Sequence, residues 1–168
     1  MDPAIMHDFI AGIELFQDLT PEQKKLITDK FEIQELSKGD MLFSENVERR
    51  YLFIIYEGEV ELFKRTPFGE EKRISIFSRL DFLGEGVLLD DSPHASSARA
   101  LLPTTLFALS RDKVDALFEE HGSIGVKVLS RVARVISRRM RMITTHVVNV
   151  AEQYASGRTR KEHDLLGD

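Results

Sequence analysis

The chain has 168 residues, 42% of them hydrophobic and 30% charged, with a net charge of −5 and no cysteine. That length suits one globular domain, or one domain with a helical extension. The lack of cysteine excludes a disulfide scaffold, a thiol nucleophile and a cysteine-ligated zinc site, and the acidic balance speaks against a broad nucleic-acid-binding face. No apolar run approaches the roughly 20 residues that span a bilayer, and the N-terminus lacks a charged head followed by an apolar stretch. A cytoplasmic protein without a membrane partner is therefore expected.

Apolar residues Ile5, Phe9, Ile10, Ile13 and Phe16 recur at helical spacing, which predicts a helix over about 3–16. Thr20-Pro21-Glu22-Gln23 then opens a second helix, predicted to end near Phe31. Thr20 is placed as N-cap, Pro21 at the first helical position and Gln23 as the capping-box partner. These two helices fill residues 1–32.

From 33 to 110 short apolar runs alternate with turn signals. Lys38-Gly39-Asp40, Glu57-Gly58-Glu59 and Pro67-Phe68-Gly69-Glu70 separate runs such as Tyr51 to Tyr56, Val60 to Phe63 and Arg73 to Phe77. Strands of this length and spacing predict an antiparallel sandwich or roll. Phe82 to Leu89 breaks the pattern. It carries Gly84 and Gly86, lacks strict alternation, and ends at Asp90-Asp91-Ser92-Pro93, so it reads as a loop around one helical turn. Strand texture resumes at Ser97 to Ala100 and at Thr104 to Leu109.

Ser110 caps a further helix, which His121-Gly122-Ser123 interrupts. Beyond it Leu129, Ala133, Ile136, Met140, Ile143, Val147, Val150 and Tyr154 keep alternating spacings of four and three, an unbroken heptad seam. Val128, Val132 and Val135 form a second stripe that stops at Arg138-Arg139. A helix apolar on two faces early and on one face late packs first on its own domain and then on a partner. A homodimer interface along Leu129, Ala133, Ile136, Met140, Ile143, Val147 and Val150 is expected, against the alternative of one wide core-facing stripe in a monomer. Residues 111–155 are read as the C-terminal helices and 156–168 as a polar linker.

This order resembles the cyclic nucleotide-binding domain of catabolite-activator-type regulators, protein kinase regulatory subunits and gated channels. The likeness covers about Leu15 to Arg141. Lys38-Gly39-Asp40 is similar to the early glycine turn, and Tyr51 to Val60 to the strand–glycine–strand element. Gly84-Glu85 with Leu88, followed by Pro93 to Ala100, is similar to the phosphate-binding cassette, here 82–99. The resemblance implies an α+β fold: an antiparallel eight-stranded β-roll, jelly-roll-like, with N-terminal helices and a long C-terminal dimerisation helix. It implies a regulatory domain rather than an enzyme. Cyclic AMP or cyclic GMP would be the ligand, and its binding would move the C-terminal helix.

The cassette chemistry suits such a ligand. Glycine lets backbone approach a phosphate closely, free amides at a helix start attract an anion, and Glu85 can accept from a ribose hydroxyl. The implied ligand-binding set is Gly84, Glu85, Gly86, Val87, His94, Ala95 and Ser96, with Arg138 and Arg139 as lid candidates over the base. Departures are plain. His94 occupies the family's arginine position, Ala95 its serine or threonine, Gly86 a bulky aliphatic and Leu80 a glycine. Histidine carries a full charge only below about pH 6.5. Two readings stay open: a working site with His94 on the phosphate, and a degenerate pocket kept as a dimerisation or interaction module.

A metal cupin would share the β texture, but His7, His94, His121, His146 and His163 are scattered, so no metal is expected. Family transcription factors continue into a helix-turn-helix, and DNA binding is not expected of this chain. Thr159 to Asp168 resembles the opening of aspartase and class II fumarase chains, which implies a sensor placed ahead of an aspartate ammonia-lyase.

Overall fold

The computed structural model describes the backbone of residues 3–164 and the side chains of 4–152 other than 146 and 150. Helix α1 is Pro3–Ala11, shorter than the apolar spacing suggests. The chain turns at Gly12, and Ile13 is extended (φ −66°, ψ 137°) before a 3-10 turn at Glu14–Phe16. Ile13, Leu15 and Phe16 are buried nonetheless, so the apolar pattern serves the core without a continuous helix. Helix α2, Pro21–Thr28, starts on the expected capping box: Gln23 N donates to Thr20 Oγ1, and Thr20 N donates to Gln23 Oε1.

Eight strands follow: β1 Glu32–Leu36, β2 Met41–Phe43, β3 Tyr51–Glu57, β4 Val60–Arg65, β5 Glu71–Phe77, β6 Phe82–Leu83, β7 Ser97–Ala100 and β8 Thr104–Ser110. They make two antiparallel four-stranded sheets, ordered β1-β8-β3-β6 and β2-β7-β4-β5. This is the expected roll. Strand β3 is buried from Leu52 to Ile55 because it lies inside its sheet, between β8 and β6. Phe53, Ile55, Val60, Leu83, Ala98, Leu106 and Ala108 form one buried cluster, with Phe43, Leu62 and Phe77 half-buried against it.

The alternation in β4 and β7 sends charge to the other face. Glu61 pairs across the ladder with Arg99 and is 4% exposed. It accepts from Arg73 Nε at 2.8 Å and from Arg99 Nε at 2.6 Å. The Arg73 bond, joined by Arg99, holds the Glu61 carboxyl below the usual range although burial opposes this. Arg99 also lies 4.4 Å from the Phe63 ring centre, so it braces the sheet.

Helix α3 spans Arg111–Glu120 and helix α4 Gly122–Asp164. Ser110 occupies the α3 N-cap without a side-chain capping bond. The chain divides into compact units, 1–131 and 132–168. In the first, α4 is tied to the N-terminal helices by Arg131 on both Asp18 oxygens (2.7 and 2.6 Å) and by Gln23 on Ser123 (3.0 Å). In the second, Val132 and Val135 are buried, while Met140, Ile143 and Val147 are each about 60% exposed. Helix α4 runs past Tyr154 into the segment expected to be a linker. Lys, Arg and Glu there are good helix formers, and Gly157 alone costs only about 1 kcal/mol. Leu165 to Asp168 of the tail lie outside the described residues.

Leu80 adopts φ +74°, a left-handed conformation that penalises a side chain, and it is 52% exposed. Leu80→Gly is expected to stabilise the fold by about 1 kcal/mol, a rise of about 2–4 °C in Tm. Thermal melts of the two proteins check this.

Candidate functional site

The interruption between β6 and β7 is one turn of 3-10 helix, Glu85–Leu88, closed by Val87 N donating to Gly84 O at 3.0 Å. Strand β6 seats it by pairing Leu83 with Phe53 and Phe82 with Ile54. Gly84 then turns the chain at φ +76°, and a Cβ there would stand 2.4 Å from the Tyr51 carbonyl oxygen. Both facts demand glycine. Gly84, Glu85, Gly86 and Val87 thus share a single turn, with Val87 buried and Glu85 half-buried.

Gly86 is bare for a different reason. A Cβ there would lie 2.2 Å from Arg49 Nη1, because the Arg49 guanidinium rests on this glycine. Arg49 donates to Asp90 Oδ1 at 2.9 Å, and its side chain is 19% exposed. Asp90 Oδ1 also accepts from Ser92 N (2.9 Å), and the Asp90 carbonyl from Arg111 Nη1 (3.0 Å). Arg111 meets Asp91 Oδ1 at 2.7 Å as well. The Ser92 backbone bond chiefly, with Arg49 and Arg111 nearby, keeps the Asp90 carboxyl below its ordinary range. The far end of the cassette is therefore strapped to the start of β3 and to the first turn of α3.

His94, Ala95 and Ser96 lie on the loop into β7. His94 N donates to Val47 O (2.9 Å), and its carbonyl accepts from Asn46 N (2.8 Å). The imidazole stacks on Phe43, centroids 3.8 Å apart at 6°, and is buried. Phe43 stacks in turn near Phe53, which meets Tyr51 in a tilted contact, so His94 ends a row of rings. Burial, aided by the Arg49 charge, lowers its pKa to about 4, so His94 is neutral at pH 7. Ala95 is exposed, and its carbonyl accepts from Lys64 Nζ at 2.9 Å. Ser97 Oγ accepts from Glu45 N, which makes it a loop tie. Arg138 and Arg139 lie on α4 within the second unit, exposed and half-buried respectively.

Sequence reasoning missed Arg49 and Asp90. Glu48-Arg49-Arg50 looks like ordinary loop charge, and only the void at Gly86 marks Arg49 out. Among the described residues no cluster of three or more His, Asp or Glu could hold a metal, and no helix is long and apolar enough to cross a membrane.

The described residues thus form a two-sheet roll interrupted between β6 and β7 by a glycine-seated turn, with helices before and after it in the chain. A model of the family described as cyclic nucleotide-binding domain matches residues 33–121, and the chain belongs to that family. It is 25% identical over 157 residues to a CRP-like cAMP-activated global transcriptional regulator of Mycobacterium tuberculosis, covering 94% of this chain and 68% of that protein. It is 32% identical over 97 residues to a cAMP-dependent protein kinase regulatory subunit of Mycosarcoma maydis, covering 58% of this chain and 18% of that one. Among solved structures, a cyclic nucleotide-binding domain from Methylobacillus flagellatus superposes with a TM-score of 0.72 at 27% identity, covering 83% and 78% of the two chains.

The His94 value yields a pH dependence. The folded pKa, about 4, lies below the ordinary 6.5, so the unfolded chain takes up the proton first. The stability His94 contributes is full above about pH 6.5 and is lost as pH falls toward 4. Denaturant unfolding at pH 7 and pH 5 should show the decline, smaller in His94→Asn. NMR titration should place the imidazole well below its ordinary 6.5.

Proposed function

We propose that the domain senses a cyclic nucleotide, cyclic AMP or cyclic GMP, in the roll beside the Gly84–Leu88 turn. The observation that carries this is the glycine-seated turn between β6 and β7, inside the span that the family model matches. The turn of Gly84 to Val87 meets the ligand, Glu85 accepts from the ribose hydroxyl, and the loop of His94, Ala95 and Ser96 borders the phosphate. The relatives named for cyclic AMP support the ligand class without deciding between adenine and guanine.

The response is allosteric. Ligand favours one placement of the helices over another and shifts the population by its unequal affinity for the two. Cassette residues Asp90 and Asp91 are bonded to Arg111 on α3, so a displaced cassette pulls on the helix that leads into α4. Through the seam on α4 the change reaches a second copy of the chain. The tail likeness from Thr159 makes an aspartate ammonia-lyase the output domain, and the coding sequence past Asp168 tests that directly.

Calorimetric titration with each nucleotide should give saturable heat. Glu85→Ala should weaken binding about tenfold, the cost of one hydrogen bond to a charged group. The degenerate reading draws on one observation, the buried neutral His94 stacked where a charge is expected. Silence at millimolar ligand at both pH 7 and pH 6 establishes that reading and removes the sensor.

Self-association has its own check. Met140 and Ile143 are 64% and 62% exposed on the seam, a poor arrangement for an isolated helix. Sedimentation should show a dimer, and Met140→Asp with Ile143→Asp should give a monomer with an unchanged roll.

A further inference from the structure

We propose that Arg49, from the loop before β3, supplies the positive charge that meets the phosphate of the bound nucleotide. The assignment rests on the nucleotide-sensing reading above and names the residue that makes it electrostatically workable. A cyclic nucleotide brings one negative charge, and holding it in a half-buried cradle without a cation is costly. The cradle itself is acidic: Glu85, Asp90 and Asp91 surround the turn. His94, on the loop beyond, is buried and stacked on Phe43.

Among the described residues, Arg111, Lys64 and Arg49 come to the cassette from outside it. Arg111 is held by Asp91 and by the Asp90 carbonyl, with Asp115 3.5 Å away. Lys64 is 53% exposed and held by Glu45 and the Ala95 carbonyl. Arg49 differs from both. Its guanidinium is largely out of solvent and packs close against the cassette backbone at Gly86, where a Cβ would stand 2.2 Å from Nη1 and force the side chain to shift. It is bonded there through Nη1 to Asp90, which leaves a planar fork matched to two phosphate oxygens. The two departures at 86 and 94 then become one: the cation has moved to the other side of the cassette, and glycine makes room for it.

Titration of the full chain with cyclic AMP and cyclic GMP tests the assignment. Arg49→Gln should weaken binding tenfold or more, and Arg49→Gln combined with His94→Arg should recover to within threefold of the parent. Arg49→Met, an apolar chain of similar length, repeats the measurement if the glutamine variant melts below the titration temperature. A parent chain that binds and an Arg49→Gln that binds within twofold of it overturns this assignment alone. A tenfold loss that the double variant leaves uncorrected marks Arg49 as a brace of the cassette and also overturns it. A parent chain that binds neither nucleotide overturns the sensing reading and the assignment together.

Discussion

The close approach of the Gly84 backbone to the Tyr51 carbonyl is the constraint on which the site depends. A left-handed residue set hard against β3 redirects the chain out of β6 and into the turn that follows. The two-residue strand β6 is too short to hold anything by itself, but its partner β3 is buried from Leu52 to Ile55. Rigidity is thus borrowed from the core, and the Glu85–Leu88 turn is presented at a fixed place on a frame that does not yield.

Charge is distributed around that turn in an unusual way. The loop position that could carry a cation holds a histidine kept neutral by burial, and its ring extends the row of Phe43, Phe53 and Tyr51. Positive charge arrives instead from outside the cassette, through Arg49 and Arg111, and is anchored on Asp90 and Asp91. These bonds join three segments distant in the chain, the loop before β3, the cassette and the first turn of α3. On the far face of the roll, Glu61 with Arg73 and Arg99 forms a separate network that stiffens β4, β5 and β7. Its buried carboxylate has both partners in place, the condition under which such a group is tolerated.

Helix α4 serves two environments in succession. Ile124 and Val128 are buried within the first unit, and Val132 and Val135 are buried further along. The heptad residues divide differently. Leu129 and Ile136 are half-buried, while Ala133, Met140, Ile143 and Val147 are exposed. Val150 and Tyr154 of the same seam have side chains outside the described residues. This exposed apolar row is the surface that the proposed dimer would cover.

Much was legible in the sequence because it is local. The capping box at Thr20 and Gln23, the glycine turns, the strand texture and the break at Gly84 to Leu88 each follow from short-range backbone preferences. The family likeness, carried by motifs within that span, led to the same roll. Tertiary structure decided what the spacing of residues could not. It ended α1 at Ala11 while still burying Phe16, and it neutralised His94 by burying it against Phe43 of β2. It set Arg49 on Gly86 across a separation of 37 residues. Periodicity reports which face of one element is apolar, whereas the charge state and reach of a side chain depend on what packs against it from elsewhere in the chain.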